Sequence, residues 1–167
     1  MRIAVVVGNP KPASRTLNVA TTVADTLAAE LKPDQEHLVV DLAEQASDLF
    51  DWGAPRLTEL TAQVASAGLI IAASPTYKAT YTGMLKAFFD RYGSNGLAGS
   101  VAVPLMTGGA WIHALAVEVH LRPLLVELGA AVPSRGLYVT EPEFGELAAP
   151  VGRWAEAAVP LLRTALG

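Results

Sequence analysis

The chain has 167 residues, 51% of them hydrophobic and 17% charged, with no cysteine. That is enough to bury a core without metal or disulfide support, while the missing thiols exclude a disulfide framework, a thiolate nucleophile and a thiolate metal site. A net charge of -4 gives no electrostatic footing for nucleic acid or an anionic membrane, so the expected partner is a small molecule, and redox work would fall to a bound cofactor.

In chain order, the first apolar run is "RIAVVV" (2–7). It is too short for a secretory leader, and no later run approaches the roughly 20 residues of a membrane span, so the reading is cytoplasmic. Helical periodicity follows over 15–31, then a strand "EHLVVDL" (36–42), a helix over 55–67, "GLIIAA" (68–73), a helix over 82–92, "SVAVPLM" (100–106), a helix over 110–129, "GLYVT" (136–140) and a helix over 149–166. Most strands are too continuously apolar for a sheet with one wet face. Strict alternation then predicts an α/β three-layer sandwich: a five-stranded parallel sheet, order 2-1-3-4-5, with helices on both faces and a ligand crevice beside the carboxyl ends of strands 1 and 3. No repeat or linker divides the chain, so residues 1–167 read as a single domain.

Two prolines test this reading. Pro104 falls inside the fourth strand, where a missing amide predicts a bulge or the last ladder pair. Pro123 removes a bond to the Val119 carbonyl, predicting a kink around Val119 and His120 or a helix that starts afresh at Pro123.

Parallel strands 1, 3 and 4 bring three loops to one sheet edge. "GNPKPASRT" (8–16) combines Gly8, Asn9, Ser14 and Thr16 with Arg15 at a helix start, where amides, dipole and a forked cation suit a phosphate. It lacks both the GxGxxG and the P-loop patterns; the plainer reading makes Ser14 an N-cap and Arg15 a solvated charge. "SPTYKATYTG" (74–83) offers Pro75, Thr76, Tyr77, Lys78 and Tyr81, flat faces among polar groups that suit a planar heteroaromatic ring or, alternatively, cap the core. Thr107, Gly108 and Gly109 remove side chains where backbone must approach something closely, or simply make a turn. Together the loops describe a site for a mononucleotide with a reactive ring, and flavin mononucleotide (FMN) fits best.

Of the histidines, His113 and His120 share a helical face at a spacing of seven. With no HExxH they read as surface residues rather than metal ligands, and no GxSxG marks a serine hydrolase. The stripes Met84, Leu85, Phe88, Phe89 and Leu121, Leu124, Leu125, Leu128 serve an ordinary core and also suit an isologous dimer. Trp52 is a candidate to cover the ring from a neighbouring subunit.

The segments "GNPKPASRT", "SPTYKATYTGMLKAFFDR", "PLMTGG" and "HALAVEVHLRPLLVELGA" resemble the NADPH-dependent FMN reductases of the flavodoxin-like fold, particularly the reductase components of two-component sulfonate monooxygenases. The resemblance implies Ser14, Arg15 and Thr16 on the flavin phosphate, Pro75, Thr76, Tyr77 and Lys78 along the isoalloxazine, and Thr107, Gly108 and Gly109 at its pyrimidine edge. It implies hydride transfer from NADPH (or NADH) to flavin N5 with no catalytic side chain, reduced flavin passed to a flavin-dependent monooxygenase, and a homodimer or homotetramer. Lys78 and the amides of 107–109 would face the ring edge where charge collects, and Arg15, Lys78 or Arg122 the nicotinamide nucleotide's extra phosphate. Some sulfonate-linked members carry a Tyr in a π-helical turn of the fourth helix; here the region reads Glu118, Val119, His120. Flavin as a departing substrate and flavin as a retained group both stay open. The rival readings are an FMN-retaining NAD(P)H:quinone or azo-type oxidoreductase and a non-enzymatic flavodoxin-like electron carrier.

Overall fold

In the computed structural model, which describes residues 1–167, five strands pair in parallel in the order 2-1-3-4-5. They are β1 (Ile3–Val7), β2 (Leu38–Asp41), β3 (Leu69–Pro75), β4 (Val101–Gly108) and β5 (Leu137–Thr140). Side chains of a strand alternate between sheet faces, and the two cores divide accordingly. Ala4, Val6, Ile70, Ala72, Ala102 and Met106 belong to one; Ile3, Val5, Val7, Leu69, Ile71, Ala73, Val103 and Leu105 belong to the other.

Helices α1 (Arg15–Leu31) and α5 (Ala148–Leu166) cover the second face, and α2 (Pro55–Ala65), α3 (Gly83–Phe89) and α4 (Arg122–Glu127) the first. Helix α1 coincides with its sequence pattern because each end has a local cause. Ser14 accepts a bond from the Leu17 amide, Val19, Ala20, Val23, Ala24 and Leu27 form the buried stripe, and Lys32 ends it in the left-handed region.

Three expectations need correction. The strand expected to end at 73 runs to Pro75 and the one expected to end at 106 runs to Gly108, so Ser74, Pro75, Thr107 and Gly108 are ladder residues rather than loop. Pro104 makes neither a bulge nor a last pair: the register passes unbroken from Leu69↔Val101 through Ala72↔Pro104 to Pro75↔Thr107. Its missing amide falls in a gap. Even-numbered residues of β4 face the β5 side, as Ala102 does in donating to the Ala131 carbonyl, and pairing with β5 begins only at Leu105↔Leu137.

The third correction concerns the continuous helix expected over 110–129, although the fresh start expected at Pro123 holds. The segment consists of a 3₁₀ turn (Trp111–His113), a π-helical turn (Val117–Leu121) and α4, with Pro123 in the first turn of α4. The Arg122 amide reaches five residues back to the Val117 carbonyl, and proline stands where the wide register hands over to the α register, which needs no amide there. The π turn therefore forms without a Tyr. Glu118 and Arg122 anchor it: the guanidinium donates to Glu118 and to the carbonyls of Val132 and Ser134, and the Glu118 carboxylate accepts the Gly136 amide at 2.7 Å. Burial pushes the Glu118 carboxyl up, but Arg122 and the Gly136 amide outweigh it and hold the group below its ordinary range. Arg122 is thereby committed to the approach to β5 and is not a rim cation.

Candidate active site

The carboxyl edge of the sheet carries a cleft of about 420 Å³, within the range of small-molecule sites. Ten of the twelve expected residues line it: Asn9, Ser14, Arg15, Thr16, Pro75, Thr76, Tyr77, Thr107, Gly108 and Gly109. Lys78 and Tyr81 do not. Tyr81 is half-buried and packs against the core beneath α3, so the core-capping alternative holds for it. Lys78 is exposed at the tip of a tight turn.

At one end lies the start of α1. Ser14 caps Leu17 at 3.2 Å, which leaves the first two helical amides, those of Arg15 and Thr16, without an intrahelical acceptor. The Thr16 hydroxyl is engaged, accepting from Asn9 Nδ2 at 3.1 Å and bonded to the Thr107 hydroxyl at 2.9 Å. Asn9 also accepts the Lys11 amide, and Asp41 at the end of β2 accepts the Ala13 amide at 3.0 Å. These bonds fix the loop, so its polar side chains are spent on holding its shape while the Arg15 and Thr16 amides stay without an acceptor. Arg15 pairs with Glu141, and its guanidinium carbon lies 5.0 Å from the centre of the Phe144 ring.

At the other end, the Thr76 amide donates to the Thr107 carbonyl at 2.7 Å. The Thr76 hydroxyl donates to the Tyr138 hydroxyl at 3.3 Å, which donates to the Ala110 carbonyl at 3.2 Å. Gly108 lies against Tyr138: a Cβ there would sit 1.9 Å from the phenolic oxygen. The backbone that approaches closely at Gly108 thus meets a tyrosine of β5, whereas Gly109 faces open space.

Two other hydroxyls of the second loop bond to backbone rather than facing the cleft. Ser74 donates to the Pro75 carbonyl and accepts the Thr82 amide; Thr82 donates to the Gly8 carbonyl at 2.5 Å and caps Leu85 at 3.1 Å. Tyr77 and Thr80 exchange both backbone bonds across Lys78 and Ala79, whose φ angles are 51° and 66°. Two non-glycine residues in the left-handed region store backbone strain. Ala79→Gly is expected to raise stability by about 1 kcal/mol, read as a higher urea midpoint at unchanged slope.

Lys11, Ala13, Glu141 and Phe144 also line the cleft and were not expected there. The last two follow β5 in "EPEF" (141–144), and the same edge rule that selected three loops points to this fourth one. Trp52 lies outside the cleft lining, 67% exposed, with the Arg91 guanidinium 5.5 Å from its ring.

Free helix-start amides, a guanidinium, and a cleft whose other end is lined by Tyr77 and Gly109 fit a phosphorylated planar heterocycle such as FMN.

The family model described as NADPH-dependent FMN reductase matches residues 1–143. An FMN reductase (NADPH) of Escherichia coli (strain K12) is 39% identical over 87 residues, 52% of this chain and 46% of that protein, so the alignment spans less than half of that relative. The NADH-dependent FMN reductase SfnF of Pseudomonas fluorescens (strain Pf0-1) is 33% identical over 167 residues, 92% of this chain and 87% of that one. Among solved structures, the apo form of the NADH:FMN oxidoreductase EMOB superposes with a TM-score of 0.86 at 28% identity, covering 99% of this chain and 90% of that one. With the match running through all five strands and both ends of the cleft, the chain belongs to the NADPH-dependent FMN reductase family.

Proposed function

We propose that this chain works as an NAD(P)H-dependent flavin reductase whose 167 residues form a single FMN-binding domain, with the cleft at the carboxyl edge of the sheet as its site. One observation carries the reading: the α1 amino end with Arg15 and the Thr76–Gly108 ring bed line one continuous cleft, although they come from well-separated segments of the chain. Bound FMN supplies the electron-accepting ring. The chain's residues bind and orient: the amides of Arg15 and Thr16 with the Arg15 guanidinium take the phosphate, Tyr77 and Pro75 offer apolar surface to the ring, and the glycines leave room for its edge. No side chain in the cleft is asked to act as acid, base or nucleophile. Lys11, on the cleft wall, and Lys78, on the exposed turn beside it, are the cations available to a nicotinamide nucleotide.

The expected result with purified protein is oxidation of NADPH or NADH that depends on added FMN and saturates with it, followed by loss of nicotinamide absorbance. Oxidation that does not respond to FMN removes the reading.

The resemblance to reductase components of two-component sulfonate monooxygenases supports a flavin-dependent monooxygenase as recipient of the reduced flavin. Exposed Trp111, Ile112, Leu115, Val119 and Val126, an apolar face along the broken fourth helix, support a homo-oligomer. No helix is long and apolar enough to cross a membrane.

A further inference from the structure

We propose that Glu141 is a built-in competitor for the anion site: its carboxylate takes the Arg15 guanidinium when no phosphate is present, and thereby lowers the affinity for phosphorylated flavins. This rests on reading the α1 amino end as the phosphate cradle.

Four observations on the chain lead there. First, Arg15 and Glu141 both line the cleft and are paired with each other, so the one guanidinium at the α1 start is already satisfied by the chain's own anion. Second, the pair is open to water, the two side chains being 66% and 55% exposed. An ion pair so exposed is weak and exchanges readily, unlike a buried structural bridge.

Third, the two neighbouring glutamates do different work. Glu143 is consumed in a capping box, accepting the Thr140 amide at 2.8 Å and the Thr140 hydroxyl at 2.7 Å. Glu141 has no such duty and reaches across to a residue 126 positions away. Fourth, Phe144 lies under the Arg15 guanidinium at 5.0 Å. Its attraction for the cation needs no carboxylate, so Arg15 keeps its place while one anion replaces the other.

A phosphate dianion carries more charge than a carboxylate and also receives the helix amides, so it wins the contest for Arg15. The displaced carboxylate stays on the cleft wall, tethered to the end of β5, and repels the phosphate there. The outcome is a phosphate site whose occupant is held loosely enough to exchange, with the penalty confined to flavins that carry the charge.

The test is a fluorescence titration of FMN and of riboflavin, which lacks the phosphate, against the unmodified protein, Glu141→Gln and Arg15→Ala. Glu141→Gln is expected to bind FMN about tenfold more tightly at low salt, to lose most of that gain at high salt, and to bind riboflavin as before. Arg15→Ala is expected to weaken FMN and spare riboflavin. If Arg15→Ala weakens FMN while Glu141→Gln leaves it unchanged or weaker, Glu141 is a mere tether for Arg15 and the competitor role is overturned with the cradle intact. If Arg15→Ala leaves FMN binding unchanged, the cradle and the competitor fall together.

Discussion

Replacing Gly8 by alanine is expected to destabilise the protein by roughly 3 kcal/mol, the upper end of what an added methyl costs in a packed interior. Gly8 follows directly on β1, its amide bonded to the Ala73 carbonyl at 2.8 Å and its carbonyl accepting from Thr82 at 2.5 Å. A Cβ there would lie 2.4 Å from Leu85 Cβ and 2.9 Å from Leu85 Cα. The obstacle is the backbone of α3 rather than a mobile side-chain end, so relief requires the helix to move off the sheet. Moving it breaks the Thr82 cap, which holds both the first turn of α3 and the Gly8 carbonyl. Gly109→Ala supplies the control, because nothing lies within 4 Å of a Cβ at that position. Urea unfolding decides the matter: a midpoint for Gly8→Ala equal to that of Gly109→Ala would refute the packing argument.

The contrast between these glycines shows which parts of the molecule the sequence disclosed. The doubly covered parallel sheet was legible because burial on both faces demands the continuous apolar runs that "RIAVVV" and "GLIIAA" display, and its order followed from the strict alternation of strands and helices. Helix α1 was legible because its cap, its stripe and its end are all local. The break in the fourth helix was legible from Pro123, which stands in the first turn of a fresh helix, but the π register before it was not, since that turn is held by Glu118 and Arg122 reaching residues 132–136, contacts that no local periodicity reports. The extra ladder pairs of β3 and β4 likewise depend on register between distant segments.

At the cleft, the edge rule located three loops correctly but was not applied to the strand that delivers Glu141 and Phe144. Residue type misled in a particular way. The hydroxyls of 74–82 suggested a bed for a ring, yet Ser74 and Thr82 spend their bonds on backbone, Ser74 within its own loop and Thr82 on Gly8 and Leu85, and only Thr76 among the non-aromatic hydroxyls lines the cleft. Arg122 was legible as a cation but not as one already committed to two carbonyls.

Gly108→Ala is the second substitution with a large expected effect, and its partner is known. A Cβ there would lie 1.9 Å from the Tyr138 hydroxyl and 2.9 Å from its ring carbon Cζ. Tyr138 is only 6% exposed, its ring centre stands 5.9 Å from that of Trp111, and its hydroxyl ties Thr76 to the Ala110 carbonyl. Driving the phenol away breaks the link between the second and third loops of the cleft. The expected loss is about 2–3 kcal/mol of stability, from strain plus two hydrogen bonds, together with weaker binding of FMN and riboflavin alike, because the ring end rather than the phosphate end is displaced. Tyr138→Phe alone should cost only about 1 kcal/mol. In the double variant the oxygen that collides is gone while the Cζ contact persists, so the two changes should fall short of their sum by roughly 1 kcal/mol, the coupling expected of residues in contact. Strict additivity in the unfolding cycle would mean that Gly108 is small for the ligand's sake after all, and a loss confined to FMN would place the damage at the wrong end of the cleft.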